Sequence, residues 1–92
     1  MEAIKIKIND NELIFKMDLK TFMVYESMAG KPFKGGTTLD LVSLMYSALV
    51  AHNVMDLTFD KFVDYLDETP SLLGVMTDNI TEYFTRRNES QD

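Results

Sequence analysis

Ala3-Ile4-Lys5-Ile6-Lys7-Ile8-Asn9-Asp10-Asn11-Glu12-Leu13-Ile14-Phe15-Lys16-Met17 is the stretch that decides the fold class. Ile4, Ile6 and Ile8 fall on one face of an extended chain and Lys5 and Lys7 on the other, the period-2 signature of a strand with one wet side. Asn9-Asp10-Asn11-Glu12 is turn chemistry, because Asn and Asp tolerate the left-handed backbone and bond their own main chain. Leu13, Phe15 and Met17 then alternate against Ile14 and Lys16. The stretch predicts a β-hairpin over about residues 2–17. A lone hairpin is marginal in water, so helices must cover its apolar face.

Four helical segments follow. Asp18 is placed to cap the first, over about 18–30, by accepting early backbone N–H groups. Leu19, Phe22, Met23 and Glu26 lie at i, i+3, i+4 and i+7 and define its expected inward stripe, widened by Tyr25, Met28 and Ala29. Gly30 suits the left-handed position after the last turn, and Pro32 prevents continuation. Lys34-Gly35-Gly36-Thr37 forms a flexible connection. Thr37 or Thr38 caps a second helix over about 38–52, apolar on most sides and therefore expected at the centre. Thr58 caps a third over about 58–68, with Phe59, Phe62, Val63 and Leu66 inward. Pro70 opens a fourth over about 70–87, at the position where its missing N–H costs nothing. Residues 86–92 read as a polar, fraying tail. The expected fold is α+β, with a hairpin packed on about four helices.

Ninety-two residues make one domain, 1–92, with room for a single core. The 46% apolar content, ten aromatics and two prolines argue for a folded chain. With no cysteine there are no disulfides and no thiolate metal sites. The N-terminal residues lack the basic start and apolar run of a signal peptide. No stretch approaches the ~18 apolar residues of a spanning helix. A soluble cytoplasmic protein, with no membrane partner, is the expectation. The net charge of −6 weighs against nucleic acid, since phosphate contacts need clustered basic residues. The only arginines are Arg86 and Arg87, and the seven lysines are scattered.

Reactive chemistry is hard to assemble from this inventory. His52 is the single histidine, beside Asn53 at a helix end, where a capping or solvent-exposed role fits the helix dipole. Asp56-Leu57-Thr58-Phe59-Asp60-Lys61-Phe62 has the look of a calcium-loop exit. Counting back from Lys61 as position 12, however, puts Val50, His52 and Met55 at positions 1, 3 and 6, where oxygen ligands and glycine are required. Asp60, Asp64, Asp67 and Glu68 suit the solvated face of the third helix. Lys34-Gly35-Gly36-Thr37-Thr38 follows a helix rather than a strand and lacks the spacing of a phosphate loop. No catalytic, cofactor-binding or metal-ligating residues are assigned, and an enzyme is not expected.

Contact chemistry remains. The seven methionines and the aromatics Tyr25, Phe33, Tyr46, Tyr65 and Tyr83 provide adaptable apolar surface. The order of segments is then familiar. Phe22-Met23-Val24-Tyr25-Glu26-Ser27-Met28-Ala29-Gly30-Lys31-Pro32-Phe33 follows the hairpin, and Leu57-Thr58-Phe59-Asp60-Lys61-Phe62 follows the second helix. Over about residues 2–76 the chain resembles the tail assembly chaperones of long-tailed bacteriophages and prophages. That resemblance implies a non-enzymatic protein that binds the hydrophobic tape measure protein and helps recruit the tail tube protein. It would act in the bacterial cytoplasm and be absent from the mature virion. Alternatives are a small structural head–tail or tail-completion component, and a non-phage interaction module.

The residues that would carry contact are read from position. Tyr25, Glu26, Lys31 and Phe33 stand at the first helix exit, where a scaffold displays side chains; they are the candidate partner-binding residues. The competing reading is a structural corner, with Glu26 paired to Lys31 and Phe33 tucked under the second helix. Phe22, Met23 and Met28 are assigned to the core. Self-association of exposed Met and aromatic surface is a further expectation.

Overall fold

The alternating stretch folds back on itself. The computed structural model describes residues 3–90, with burial described through Arg87. Strands β1 (Ile4–Ile8) and β2 (Asn11–Phe15) pair antiparallel, followed by α1 (Leu19–Ala29), α2 (Thr38–His52), α3 (Phe59–Glu68) and α4 (Pro70–Ser90). This is the expected α+β architecture. The hairpin's expected first residue, Glu2, and the last two residues of the expected tail lie outside the described residues.

Asn9 and Asp10 adopt φ of 51° and 67°, as a two-residue hairpin turn requires at both central positions. The register sets Ile8 against Asn11, Ile6 against Leu13 and Ile4 against Phe15. Ile6, Ile8, Leu13 and Phe15 are thereby buried together on the face that meets the helices. A one-residue slip would turn the whole set outward, so this burial also fixes the register.

α2 is the hub. It packs against α1, β2 and α3, and buries Leu44, Met45, Ala48, Leu49 and Ala51. Met17, Tyr25, Phe62, Leu66, Met76 and Ile80 complete the core from the other elements. The helix starts follow the sequence signals: Asp18, Thr37 and Thr58 each accept the backbone N–H three residues on. Gly30 takes the left-handed conformation at φ 74° and donates its N–H to the Glu26 carbonyl, ending α1 as expected.

Two expectations are corrected. The last helix is longer than the expected 70–87, because α4 continues to Ser90. Polar residues there are spaced to support a helix: Arg86 lies 2.8 Å from Glu82, four residues back, and Arg87 covers the Tyr83 ring. His52, in turn, is neither a dipole cap alone nor solvent-exposed. Its Nε2 reaches out of the last turn of α2 to both carboxylate oxygens of Asp18, at 3.0 and 3.1 Å. It also lies 3.5 Å from the Thr21 hydroxyl, which donates to the Lys16 carbonyl at 2.7 Å. One cluster thus joins the hairpin exit, the start of α1 and the end of α2.

Burial works to raise the Asp18 pKa. The Thr21 N–H, together with the hydrogen bond and charge of His52, outweighs it and holds the carboxyl below its ordinary 3.8. A lowered folded pKa means that the carboxylate adds stability above pH 3.8 and that this is lost as pH falls through the lowered value. Asp18→Asn keeps a good capping side chain but removes the charge. It should cost under about 1 kcal/mol at pH 7. Urea denaturation across pH should show the variant and the parent converging in acid; an offset that persists below the carboxylate range would exclude this origin.

Candidate partner-contact surface

The end of α1 turns through Gly30 and sends Lys31-Pro32-Phe33 back along the helix. Phe33 meets the Tyr25 ring edge-on at 5.3 Å and 85°, meets Phe22 at 6.2 Å, and stacks on Phe84 of α4 at 6.1 Å and 14°. Phe22 also contacts Tyr83 and Phe84, at 5.7 and 6.0 Å. Aromatic pairs at such spacings and tilts add attraction beyond their buried area. Five rings from three parts of the chain therefore lock the corner and dock α4 on α1.

Of the four residues predicted as contacts, Tyr25 is the clearest departure. It is 1% exposed, and its hydroxyl donates to Asp40 Oδ1 at 3.2 Å. Burial, followed by the nearby Asp40 charge and the hydrogen bond to it, raises the Tyr25 pKa above its ordinary value. Lys31 does not pair with Glu26; its Nζ lies 3.5 Å from the same Asp40 oxygen. Phe33 is half-buried against α1 and α4 rather than under α2, and Glu26 alone of the four is an exposed side chain without a structural bond in the corner. The corner brings Tyr25, Lys31 and Phe33 together and leaves Glu26 outside.

The assignment of Met23 and Met28 to the core is overturned as well. They are 61% and 51% exposed, and Leu19, at the head of the expected inward stripe, is 76% exposed. Residues two apart on a helix point about 200° from each other, so burying Tyr25 turns Met23 outward. The winning face carries Thr21 and Tyr25, both polar. Their hydroxyls are satisfied by Lys16, Asp18 and Asp40, so burial leaves no unmet hydrogen bond. Counting apolar residues could not anticipate this, because the partners sit on other elements.

The consequence is an apolar outer face. Leu19, Phe22 and Met23 are helical neighbours, and Leu19 and Phe22 share a groove of about 330 Å³ with Tyr83, Phe84 and Arg87 of α4. A smaller hollow of about 170 Å³ lies further along, lined by Tyr25, Met28, Ala29, Ser43, Ser47 and Phe59. The aromatic content announced contact surface, but Leu19, Tyr83, Phe84 and Arg87 were missed as a group. Leu19 and Phe84 are 65 positions apart in the sequence, and only the docking of α4 joins them.

Other hollows are chemically plainer. A pocket of about 410 Å³ under the hairpin turn is lined by Asn9, Asn11, Glu12, Asp56 and Lys61 with apolar neighbours, and is open to solvent. Among the described residues no three His, Cys, Asp or Glu side chains gather as a metal site, and no helix is long and apolar enough to cross a membrane. Asp60, Asp64, Asp67 and Glu68 all face solvent on α3.

No family model, curated protein or solved structure matches the chain. The outer face of α1 sets exposed Leu19 and Met23 beside the aromatic groove shared with α4, on a protein whose net charge is −6.

Proposed function

We propose that this protein is a non-enzymatic tail assembly chaperone of a phage or prophage, holding the tape measure protein and assisting assembly of the tail tube. The observation that carries the reading is the outward apolar face of α1, with Leu19 and Met23 largely exposed beside the groove floored by Phe22, Tyr83 and Phe84. Exposed apolar strips of this kind mark contact sites in folded proteins. A tape measure protein presents long helices with apolar stripes, and a helix laid in a groove is read through residues at i, i+3, i+4 and i+7. Methionine and aromatic side chains can repack against many such stripes in succession. The negative charge keeps a crowded complex soluble. The motif resemblance over about residues 2–76 supports the same role, in the bacterial cytoplasm and outside the finished particle.

Co-expression with a phage tape measure protein tests the proposal. The parent chain should keep that protein soluble and co-purify with it. Leu19→Glu combined with Met23→Glu should abolish both effects, while thermal unfolding of the variant alone shifts by only a few degrees, because both side chains are already in water. A tape measure protein that precipitates equally with and without the parent chain would overturn the reading.

A further inference from the structure

The hairpin has two outer edges, and only one is closed. Ile14 directs both backbone groups away from β1: its N–H donates to Asn53 Oδ1 at 2.9 Å, and its carbonyl accepts from Asn53 Nδ2 at 2.8 Å. One side-chain amide thus stands where a third strand would lie beside β2. Lys5 is the residue opposite Ile14. In an antiparallel pair, opposite residues either both bond across or both point outward, so Lys5 directs its N–H and carbonyl to the far edge of β1. Lys7, two residues on, does the same, and its carbonyl accepts a long 3.4 Å bond from the Tyr65 hydroxyl. Among the described residues no other group bonds the outward backbone of Lys5 or the N–H of Lys7.

We propose that the β1 edge is a strand-addition site for an extended partner segment in which acidic and apolar residues alternate. An added strand takes its affinity from the backbone groups of the edge and its specificity from alternate side chains. On the solvent face it would meet Lys5 and Lys7, both exposed, two cations on a chain of net charge −6. Glu12 lies 3.7 Å from Lys5, but both side chains are mostly in water and the pair competes weakly. On the other face its apolar side chains would adjoin half-buried Ile4, at the rim of the core that holds Ile6. A second copy of β1 is disfavoured, since any register that keeps the isoleucines together sets lysines against lysines. The site shares no residue with the groove of α1 and α4, so its test is independent of the chaperone reading.

The probe is a capped nine-residue peptide alternating Glu and Val, titrated into the full chain and followed by amide NMR and hydrogen exchange. The outward amides of Lys5 and Lys7 should gain tenfold or greater protection at saturation. A peptide with a central proline should bind far more weakly, and one alternating Lys and Val should not compete. Lys5→Glu with Lys7→Glu alters two exposed side chains; it should weaken the acidic peptide about tenfold or more and transfer preference to the basic one. Lys5→Pro removes an outward donor without touching the ladder and should also block binding. Equal binding of the acidic and proline peptides, protection centred elsewhere, or an unchanged preference after charge reversal would each overturn the site. A dimer protected at Lys5 would overturn the choice of occupant.

Discussion

Replacing Tyr25 with alanine should destabilise the protein by about 3–5 kcal/mol, the loss expected when a buried aromatic is cut to Cβ. The ring is 1% exposed, meets Phe33 edge-on, and holds the hydroxyl that bonds buried Asp40. Its removal leaves a cavity at the α1–α2 contact and takes a donor from a mostly buried carboxylate. A domain of this size is stabilised by only about 5–15 kcal/mol. The thermal midpoint should therefore fall by more than about 12 °C. Tyr25→Phe keeps the packing and deletes the donor; with Lys31 still beside Asp40, it should cost about 1 kcal/mol. Circular dichroism melts of the two variants check the assignment. A midpoint unchanged in Tyr25→Ala would mean that the side chain is a surface group after all. The alkaline limb offers a second check. A Tyr25 pKa held above its ordinary 10.0 gives stability that is full below that pH and is lost as pH rises through the raised value; Tyr25→Phe should lack that loss.

Asn53→Ala should cost about 2 kcal/mol, from three hydrogen bonds of which two are partly replaced by water. Asn53 accepts from the Ile14 N–H and donates to the carbonyls of Ile14 and Leu49, the last at 2.9 Å. It therefore fastens the hairpin edge to the end of α2 while capping that helix. Asn53→Asp should be no milder. The carboxylate still accepts from Ile14, but it sets negative charge against two carbonyls. Exchange of the Ile14 amide should accelerate in both variants relative to amides within the ladder, and an Ile14 amide as protected as before would show that water or a neighbour takes over the role. Loss of this clasp also exposes a strand edge bearing Ile14, so both variants should aggregate more readily on heating.

The legibility of each element follows from how local its cause is. The hairpin could be read because the Asn9-Asp10 turn and the alternation of Ile4, Ile6, Ile8, Leu13 and Phe15 act within 12 residues. Asp18, Thr37, Thr58 and Gly30 punctuate the helices through bonds to residues three or four away, and Pro70 opens α4 where a missing N–H costs nothing, so their positions were legible too. α2 announced itself as central by being apolar almost all round. The orientation of α1 was not legible. Its more apolar stripe, Leu19, Phe22 and Met23, competes with a face carrying Thr21 and Tyr25, and hydrophobic periodicity favours the first. The second wins through Asp40 on α2 and Lys16 at the hairpin exit.

The contact surface depended on that outcome. The residues at the exit of α1 divide differently from the expectation. Tyr25 and Lys31 converge on Asp40, Phe33 bridges α1 to α4, and Met23 and Met28 face outward. His52 and Asn53, adjacent in the chain, read as helix-end residues; each in fact reaches more than 30 positions back, to Asp18 and Ile14.

Sequence alone determined the hairpin, the four helices and their ends apart from that of α4, because turns, caps and period-2 or period-3.6 patterns are set by neighbours within a few residues. Tertiary structure alone decided which face of α1 is buried, which hairpin edge is closed, and where Leu19 meets Phe84. Each outcome depends on partners from distant segments. The α1 face is set by buried hydroxyls that Lys16 and Asp40 satisfy, which cost too much unpaired for local hydrophobicity to overrule; the edge is closed by the Asn53 amide, and α4 is docked by ring packing.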